Sequence, residues 1–279
     1  MANYTAADIK ALRETTGAGM LDVKKALDEA DGDSAKALEL IRIKGLKGVA
    51  KREGRTVAEG LVAASITADG AGETGVMVEV NSETDFVAKN KTFIEFADSV
   101  LAAAVASQAT DAPTLLAAEV DGETVQAKVD GVAATIGEKI AVRNVARLSG
   151  AKVSSYLHRT ARDLPPSVGV LVATDAAGAE VAHDIAMHVA AFSPKYLTRE
   201  DVPAEIVESE RRIAEETSRN EGKPEAALPK IIEGRMNGFF KENCLIDQAF
   251  AKDNKKSVGK VLEEVGGSVT GFVRFRVGA

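Results

Sequence analysis

One cysteine, no tryptophan, three histidines and seven prolines are what this 279-residue chain has least of. A lone Cys244 excludes an intramolecular disulfide and any multi-cysteine zinc or iron–sulfur site. It fits a reducing compartment. His183 and His188 fall on one helical stretch, but their i, i+5 spacing sets them about 140° apart on a helix. The HExxH zinc pattern needs i, i+4 and a glutamate, so no metal site is expected. No apolar run is longer than Val100–Ala106, far short of the ~20 residues that span a bilayer. Met1–Thr5 has neither a basic region nor an apolar run, so no signal peptide is expected. A cytoplasmic protein without a membrane partner follows. No GxxxxGK[ST] loop occurs: between Gly131 and Gly137 the spacing is wrong, and Glu138 stands where the lysine belongs. Gly70–Gly75 spells GxGxxG, but a β-rich run follows it instead of a helix, so those glycines read as a hairpin turn. The chain shows no nucleotide site of its own, and no cofactor is expected.

What is present describes a folded protein. Apolar residues make up 45% and charged residues 28%, enough to bury a core. The net charge of −7 gives no general attraction to phosphate backbones, so nucleic acid is not an expected partner. The charge is uneven. Residues 1–55 carry 11 Lys/Arg against 9 Asp/Glu, a balance of +2, and the rest carries −9. That shift places a boundary near Arg55.

The first 55 residues read as three short helices. Thr5 and Asp8 spell a capping box, Gly17 and Gly19 break the first helix, and Met20, Val23 and Leu27 recur at helical spacing. Asp33 caps the third, to which Leu40, Ile41 and Ile43 lend apolar content. From 56 to 150 the pattern is a strand over Leu61–Ala68, a second over Gly75–Val80, a helix from Phe93 to Ala104, two short helices, and a strand over Ile140–Leu148. The arrangement recurs from residue 151. Val153–His158 and Gly169–Ala173 read as strands and Ala179–Phe192 as a helix. Gly75-Val-Met-Val aligns with Gly169-Val-Leu-Val, 94 residues on. Residues 203–243 read as two charged helices with sparse apolar positions at Ile206, Val207 and Ile213, a pattern suited to a protruding antiparallel hairpin. Residues 244–279 then return to the second copy. The expected fold is α+β: a three-helix N-terminal domain (1–55), a core subdomain (56–150), a second core subdomain (151–202 with 244–279) and a helical hairpin (203–243).

Candidate chemistry is scarce. Cys244 has no evident base partner and reads as a half-buried structural thiol. His188 reads as packed near the core. Lys44, Lys47, Lys51, Arg52 and Arg55 lack interleaved aromatics, so they suit a solvated helix end or an acidic protein partner better than nucleic acid. The two copies differ in the connection from middle strand to helix. The second is short, about Thr174–Gly178; the first runs Asn81–Asn90 and contains Glu83-Thr84-Asp85-Phe86-Val87. Phe86 has two readings here, a side chain tucked into the core or an exposed aromatic anchor beside a carboxylate.

Several segments resemble the elongation factor Ts family. They are Leu12–Leu27 (LRETTGAGMLDVKKAL), Glu83–Asn90 (ETDFVAKN), His183–Ala191, Glu233–Met236 and Thr270–Phe275, which together span nearly the whole chain. The resemblance implies a ubiquitin-associated-like N-terminal domain, a duplicated core and a guanine-nucleotide exchange factor for the GTPase elongation factor Tu, with no bond-making chemistry. It implies that Thr84, Asp85, Phe86 and Val87 dislodge the partner's Mg²⁺. It also implies that Arg13, Met20, Lys24, Ile136, Gly137 and His158 contact that partner, and that two copies could pair through the hairpin. The chain departs from the pattern in two places. Asp163-Leu164-Pro165-Pro166 lengthens one connection, and Ala279 stands where many bacterial members continue into a helix. Two other classes stay open. A helical adaptor would not depend on Thr84–Val87. An enzyme would need a catalytic constellation that the sequence does not display.

Overall fold

The computed structural model describes residues 3–279. Helix α1 (Ala6–Thr16) begins at the expected capping box: the Asp8 carboxylate accepts from the Thr5 backbone N–H at 2.7 Å. It ends at Gly17, whose φ of +71° favours glycine. Helix α2 (Met20–Glu29) and helix α3 (Ser34–Arg52), capped by Asp33, complete the first unit. Leu12, Val23, Leu27, Ala37 and Ile41 form its core. Ile43 is not part of that core: it faces solvent, and the turn after Ile41 is buried through Gly45 instead. A Cβ on Gly45 would lie 1.8 Å from the Ala134 carbonyl oxygen, so α3 meets the next unit backbone to backbone.

Strands β1 (Glu59–Asp69) and β2 (Gly72–Ser82) form a hairpin with Asp69 opposite Gly72. A four-residue helix α4 (Asp85–Ala88) and the long helix α5 (Lys91–Ser107) follow. Then come α6 (Ala112–Ala117), the short pair β3 (Glu119–Val120) and β4 (Glu123–Thr124), α7 (Val125–Ile136), and β5 (Ala141–Gly150), which lies against β2. The first sheet is therefore β1-β2-β5, all antiparallel. Phe93, Phe96 and Val100 of α5 and Val129 of α7 pack on the face that carries Val76, Val78 and Val80.

The second sheet repeats this order. Strand β6 (Lys152–His158) pairs with β7 (Val168–Thr174), and helix α8 (Ala179–Phe192) covers one face. Helices α9 (Ala204–Asn220) and α10 (Leu228–Asn243) intervene, followed by β8 (Ala249–Phe250), β9 (Asp253–Ser257) and α11 (Val258–Glu264). Strand β10 (Val269–Arg276) then closes the order β6-β7-β10. No helix among the described residues is long and apolar enough to cross a membrane.

The middle strands β2 and β7 are buried on both faces, because each lies between its own helices and the other sheet. Val62, Met77, Val153, Leu171 and Ala173 form the seam between the sheets. Two glycines set the sheets' closest approach. A Cβ on Gly75 would fall 2.9 Å from Val153 Cγ1 and 3.1 Å from Leu171, and one on Gly169 would fall 2.4 Å from Val62 Cγ1 and 2.7 Å from Met77 Sδ.

Helices α9 and α10 pack side by side through Ala214, Ser218, Leu228 and Met236. Ile206 and Ile213 do not join this seam; they are exposed. On α9 the contact uses the small residues Ala214 and Ser218, which let the larger Leu228 and Met236 of α10 pack against a charged helix. At its base Arg199 donates to Asp247 (2.6 and 3.0 Å) and to Asn237 (2.9 Å), and its guanidinium lies 4.9 Å from the Phe240 ring centre. Cys244 is fully buried, not half-buried, and burial pushes its thiol up to about 11. His188 packs in the core, as its sequence context suggests. It is stacked on Phe192, with Nε2 against Gln248 Oε1 at 2.8 Å and Nδ1 accepting from the Ala251 N–H. Burial holds its imidazole below the usual range.

Candidate functional site

Phe86 is 71% exposed, so its side chain is not tucked into the core. The reason is local. Helix α4 is a single amphipathic turn: Val87 and Ala88 are buried on one side, Val87 within the α5 core cluster, and Phe86 is left on the other. Thr84 caps the turn, its hydroxyl accepting from the Val87 N–H at 3.4 Å. Asn90 caps the next helix, accepting from Thr92 at 2.8 Å. Strand β2 runs on through Asn81 and Ser82, both buried, so the free connection is Glu83–Asn90 rather than Asn81–Asn90. A half-buried Lys89 sits among the exposed groups. Its ammonium is 4.9 Å from the Phe86 ring centre, 3.8 Å from Asp85 and 3.6 Å from Asp163.

The other residues of interest sit around this turn. Gly17 lies over both neighbouring helix ends: a Cβ there would be 3.1 Å from Asn90 Nδ2 and 3.4 Å from Ile136 Cγ1. The Thr92 hydroxyl donates to the Thr15 carbonyl at 3.0 Å. The α1–α2 turn, the end of α7 and the Phe86 loop therefore form one continuous surface. Arg13, Met20 and Lys24 are all exposed on α1 and α2, Met20 at 58%. Leu21, beside Met20, is exposed as well. Ile136 is buried and belongs to the core, so what this point presents outward is Gly137, with φ +88° and open space where a Cβ would be. His158 stands apart at the end of β6, exposed, with Nδ1 3.1 Å from the Tyr156 hydroxyl. The connection after it, the lengthened Asp163–Pro166 stretch, reaches back to the first sheet. Pro166 O accepts from the Val62 N–H at 2.8 Å, and Asp163 meets Lys89.

Sequence reasoning missed the groups that hold the loop. Glu138 accepts from the Thr84 N–H at 3.0 Å and from the Thr84 hydroxyl at 2.7 Å. Glu83 accepts from the Lys139 N–H at 2.6 Å and from Arg55 at 3.1 Å. Lys139 Nζ donates to the carbonyls of Glu53 and Arg55. These partners are 28 to 86 residues apart in the chain, and no local pattern signals such pairings. Of the basic run, Lys44 pairs with Glu29 and Arg55 with Glu83. The described residues hold no group of three or more His, Cys, Asp or Glu side chains placed for a metal ion. The surface suits docking against a macromolecule: an aromatic on a fixed turn, flanked by carboxylates and by the exposed apolar Met20 and Leu21.

Comparison with known proteins gives this surface a context. Residues 83–279 match the family model described as Elongation factor TS. Among curated relatives, elongation factor Ts of Beutenbergia cavernae is 70% identical over 281 aligned positions, covering 100% of both chains. The proteins of the same name from Renibacterium salmoninarum and Arthrobacter sp. are 65% and 64% identical, again over 100% of each chain. The chain thus belongs to the elongation factor Ts family, the guanine-nucleotide exchange factors of translation elongation, which act without making or breaking a covalent bond.

Proposed function

We propose that this chain drives GDP off elongation factor Tu by pressing Phe86 into the partner beside the site that holds Mg²⁺. The exchange role on that GTPase follows from family membership. The manner of exchange is the reading offered here, and the observation that carries it is an aromatic ring 71% exposed on a turn whose opposite side is locked into the core. An exposed Phe costs free energy alone and returns it when covered.

In this reading Phe86 supplies the apolar wedge, Asp85 perturbs the polar contacts around the metal, and Thr84 and Val87 hold the turn from either side. Mg²⁺ demands near-octahedral geometry, so a small shift of its holding groups weakens nucleotide binding disproportionately. The chain then binds the empty partner better than the loaded one, and nucleotide must weaken its grip by the same factor. Arg13, Met20 and Lys24 grip the partner from the N-terminal helices. Gly137, supported by the buried Ile136, continues that contact, and His158 reaches it from the second sheet.

The same reading divides the chain as the sequence suggests: a ubiquitin-associated-like unit (1–55), two core halves (56–150; 151–202 with 244–279) and a protruding hairpin (203–243). Separate apolar clusters in the N-terminal helices and in each half support it. The exposed Ile206 and Ile213 favour self-association of two copies through the hairpin.

The test is release of a fluorescent GDP analogue from elongation factor Tu, with the chain at catalytic concentration. Phe86→Ala is expected to slow release much more than it weakens binding. Equal losses in both would overturn the wedge. No acceleration, with the partner shown to be active, would favour the adaptor.

A further inference from the structure

Two dipeptides distant in sequence exchange the same kind of bond. Glu83-Thr84 opens the Phe86 loop, and Glu138-Lys139 follows the end of α7. Each glutamate accepts from the backbone N–H of the other dipeptide's second residue, Lys139 to Glu83 at 2.6 Å and Thr84 to Glu138 at 3.0 Å. Glu138 also accepts from the Thr84 hydroxyl at 2.7 Å. The result is a reciprocal clasp of charge-assisted hydrogen bonds, the stronger kind. Arg55 and the Lys139 ammonium extend it to the segment just after α3.

The clasp acts on a weak point. A four-residue helix cannot offset its own nucleation cost, so α4 exists only while its surroundings hold it. Val87 and Ala88 anchor its underside. At its N-terminus the anchor is Thr84, whose own bond to Val87 is long at 3.4 Å, and Thr84 is held in turn by Glu138. Loss of the Glu138 carboxylate would leave the underside packed and free the turn to fray from the end nearest Phe86.

We infer that Glu138 is a positioning residue for nucleotide exchange: through Thr84 it aims the Phe86 ring, and the Glu83–Lys139 half of the clasp ties that aim to the N-terminal helices. This rests on the wedge reading above. Affinity is spread over several surfaces, so the clasp governs the exchange step more than binding. An interaction made only as the partner is distorted changes the rate and not the grip.

Four full-length variants test this: Glu138→Ala, Glu138→Gln, Phe86→Ala and the double variant Phe86→Ala/Glu138→Ala. Fluorescent GDP release from elongation factor Tu is followed as each is titrated. Glu138→Ala is expected to lower the saturating rate about tenfold, the scale of losing a hydrogen-bonded pair to a charge. The half-saturating concentration should stay within about twofold, as a rate-specific role requires. Glu138→Gln keeps one acceptor for Thr84 and should recover much of the rate. Added to Phe86→Ala, Glu138→Ala should cost nothing further, because it acts only through the ring. An additive loss in the double variant, or a full rate in Glu138→Ala while Phe86→Ala is slow, would overturn the assignment. Amide hydrogen exchange of the chain alone separates the clasp from the wedge. Glu138→Ala should speed exchange at Val87, Ala88 and Lys89, Glu138→Gln should do so to a smaller degree, and both should leave the middle of α5 unchanged. If they do, and Phe86→Ala still exchanges nucleotide fully, the wedge reading fails while the clasp stands as a structural device. If those amides do not respond, the clasp fails whatever Phe86 does.

Discussion

The two halves of the core are built alike and differ at one connection. In each, a hairpin supplies the edge and middle strands, a helix covers one face, and a late strand pairs with the other side of the middle strand. In the second half the middle strand passes into α8 through a sealed turn. Asp175 accepts from the Gly178 N–H at 2.7 Å and from the Ser268 hydroxyl at 2.6 Å, and these bonds hold its carboxyl below the usual range. A Cβ on Gly267 would lie 2.3 Å from the Gly178 nitrogen, and one on Gly178 would lie 2.9 Å from the Ser268 carbonyl oxygen, so neither position has room for one. In the first half the equivalent turn is opened into Glu83–Asn90, and the opening carries Phe86. One copy of the scaffold uses the junction for closure and the other for display. The copies also diverge in the seam: Ala173 of the second half corresponds to Glu79 of the first, which is fully buried and accepts from Asn81 at 2.9 Å and Asn144 at 2.6 Å.

This contrast can be broken most sharply at Phe86. Phe86→Ala should slow catalysed GDP release roughly 10- to 100-fold, the range set by losing one buried aromatic. Its unfolding midpoint should be unchanged, since the ring is exposed in the free chain. Next in size is the seam. Gly169→Ala forces a methyl against Val62 and Met77 and should cost about 1–3 kcal/mol in denaturant unfolding. Gly75→Ala meets its neighbours at 2.9 Å instead of 2.4 Å and should cost less. A reversed order would mean the sheets are not held as described.

Acid should then distinguish the halves, because His188 is buried in the second. Its folded-state pKa lies below the unfolded value, so between the two the unfolded chain binds more protons. Stability should be complete above about pH 6.5 and fall as pH drops through that value toward the lowered one, by at most about 1.36 kcal/mol per pH unit. Thermal melts of His188→Gln should lose this slope. At the small end, Asp175→Ala should lower the melting midpoint and leave exchange intact, the opposite of Phe86→Ala. Cys244 should resist thiol reagents until the chain unfolds, as a buried thiol near 11 requires.

Much of this was legible in the sequence because it is local. The Thr5–Asp8 capping box, the Asp33 cap, the 94-residue echo of Gly-Val-x-Val and the extra loop all report on neighbours a few residues away. The elements that escaped, α4, β3, β4, β8, β9 and α11, are each seven residues or fewer, too short to establish a period. Exposure was not legible for Ile43, Ile206 or Ile213, because an apolar residue at helical spacing looks the same whether or not a partner faces it. In the site, Phe86 stood out by its neighbours, whereas Glu138 did not. Its importance lies in a bond to Thr84 across 54 residues, and nothing near Glu138 in the chain marks it.

The seam has one further property. Gly75 rests on Val153 and Leu171, and Gly169 rests on Val62 and Met77. Leu171 is the counterpart of Met77 by the 94-residue shift, and Val153 that of Val62, since each pairs across its hairpin with corresponding positions, Ala173 and Glu79. Each residue thus touches the counterpart of the residue that touches its own counterpart. That is the signature of an isologous interface, the self-complementary contact of a two-fold dimer. Here both protomers lie on one chain, so the association carries no dependence on concentration. Because the two halves differ in sequence, they can also differ in use: one seals its strand-to-helix turn and the other carries the ring.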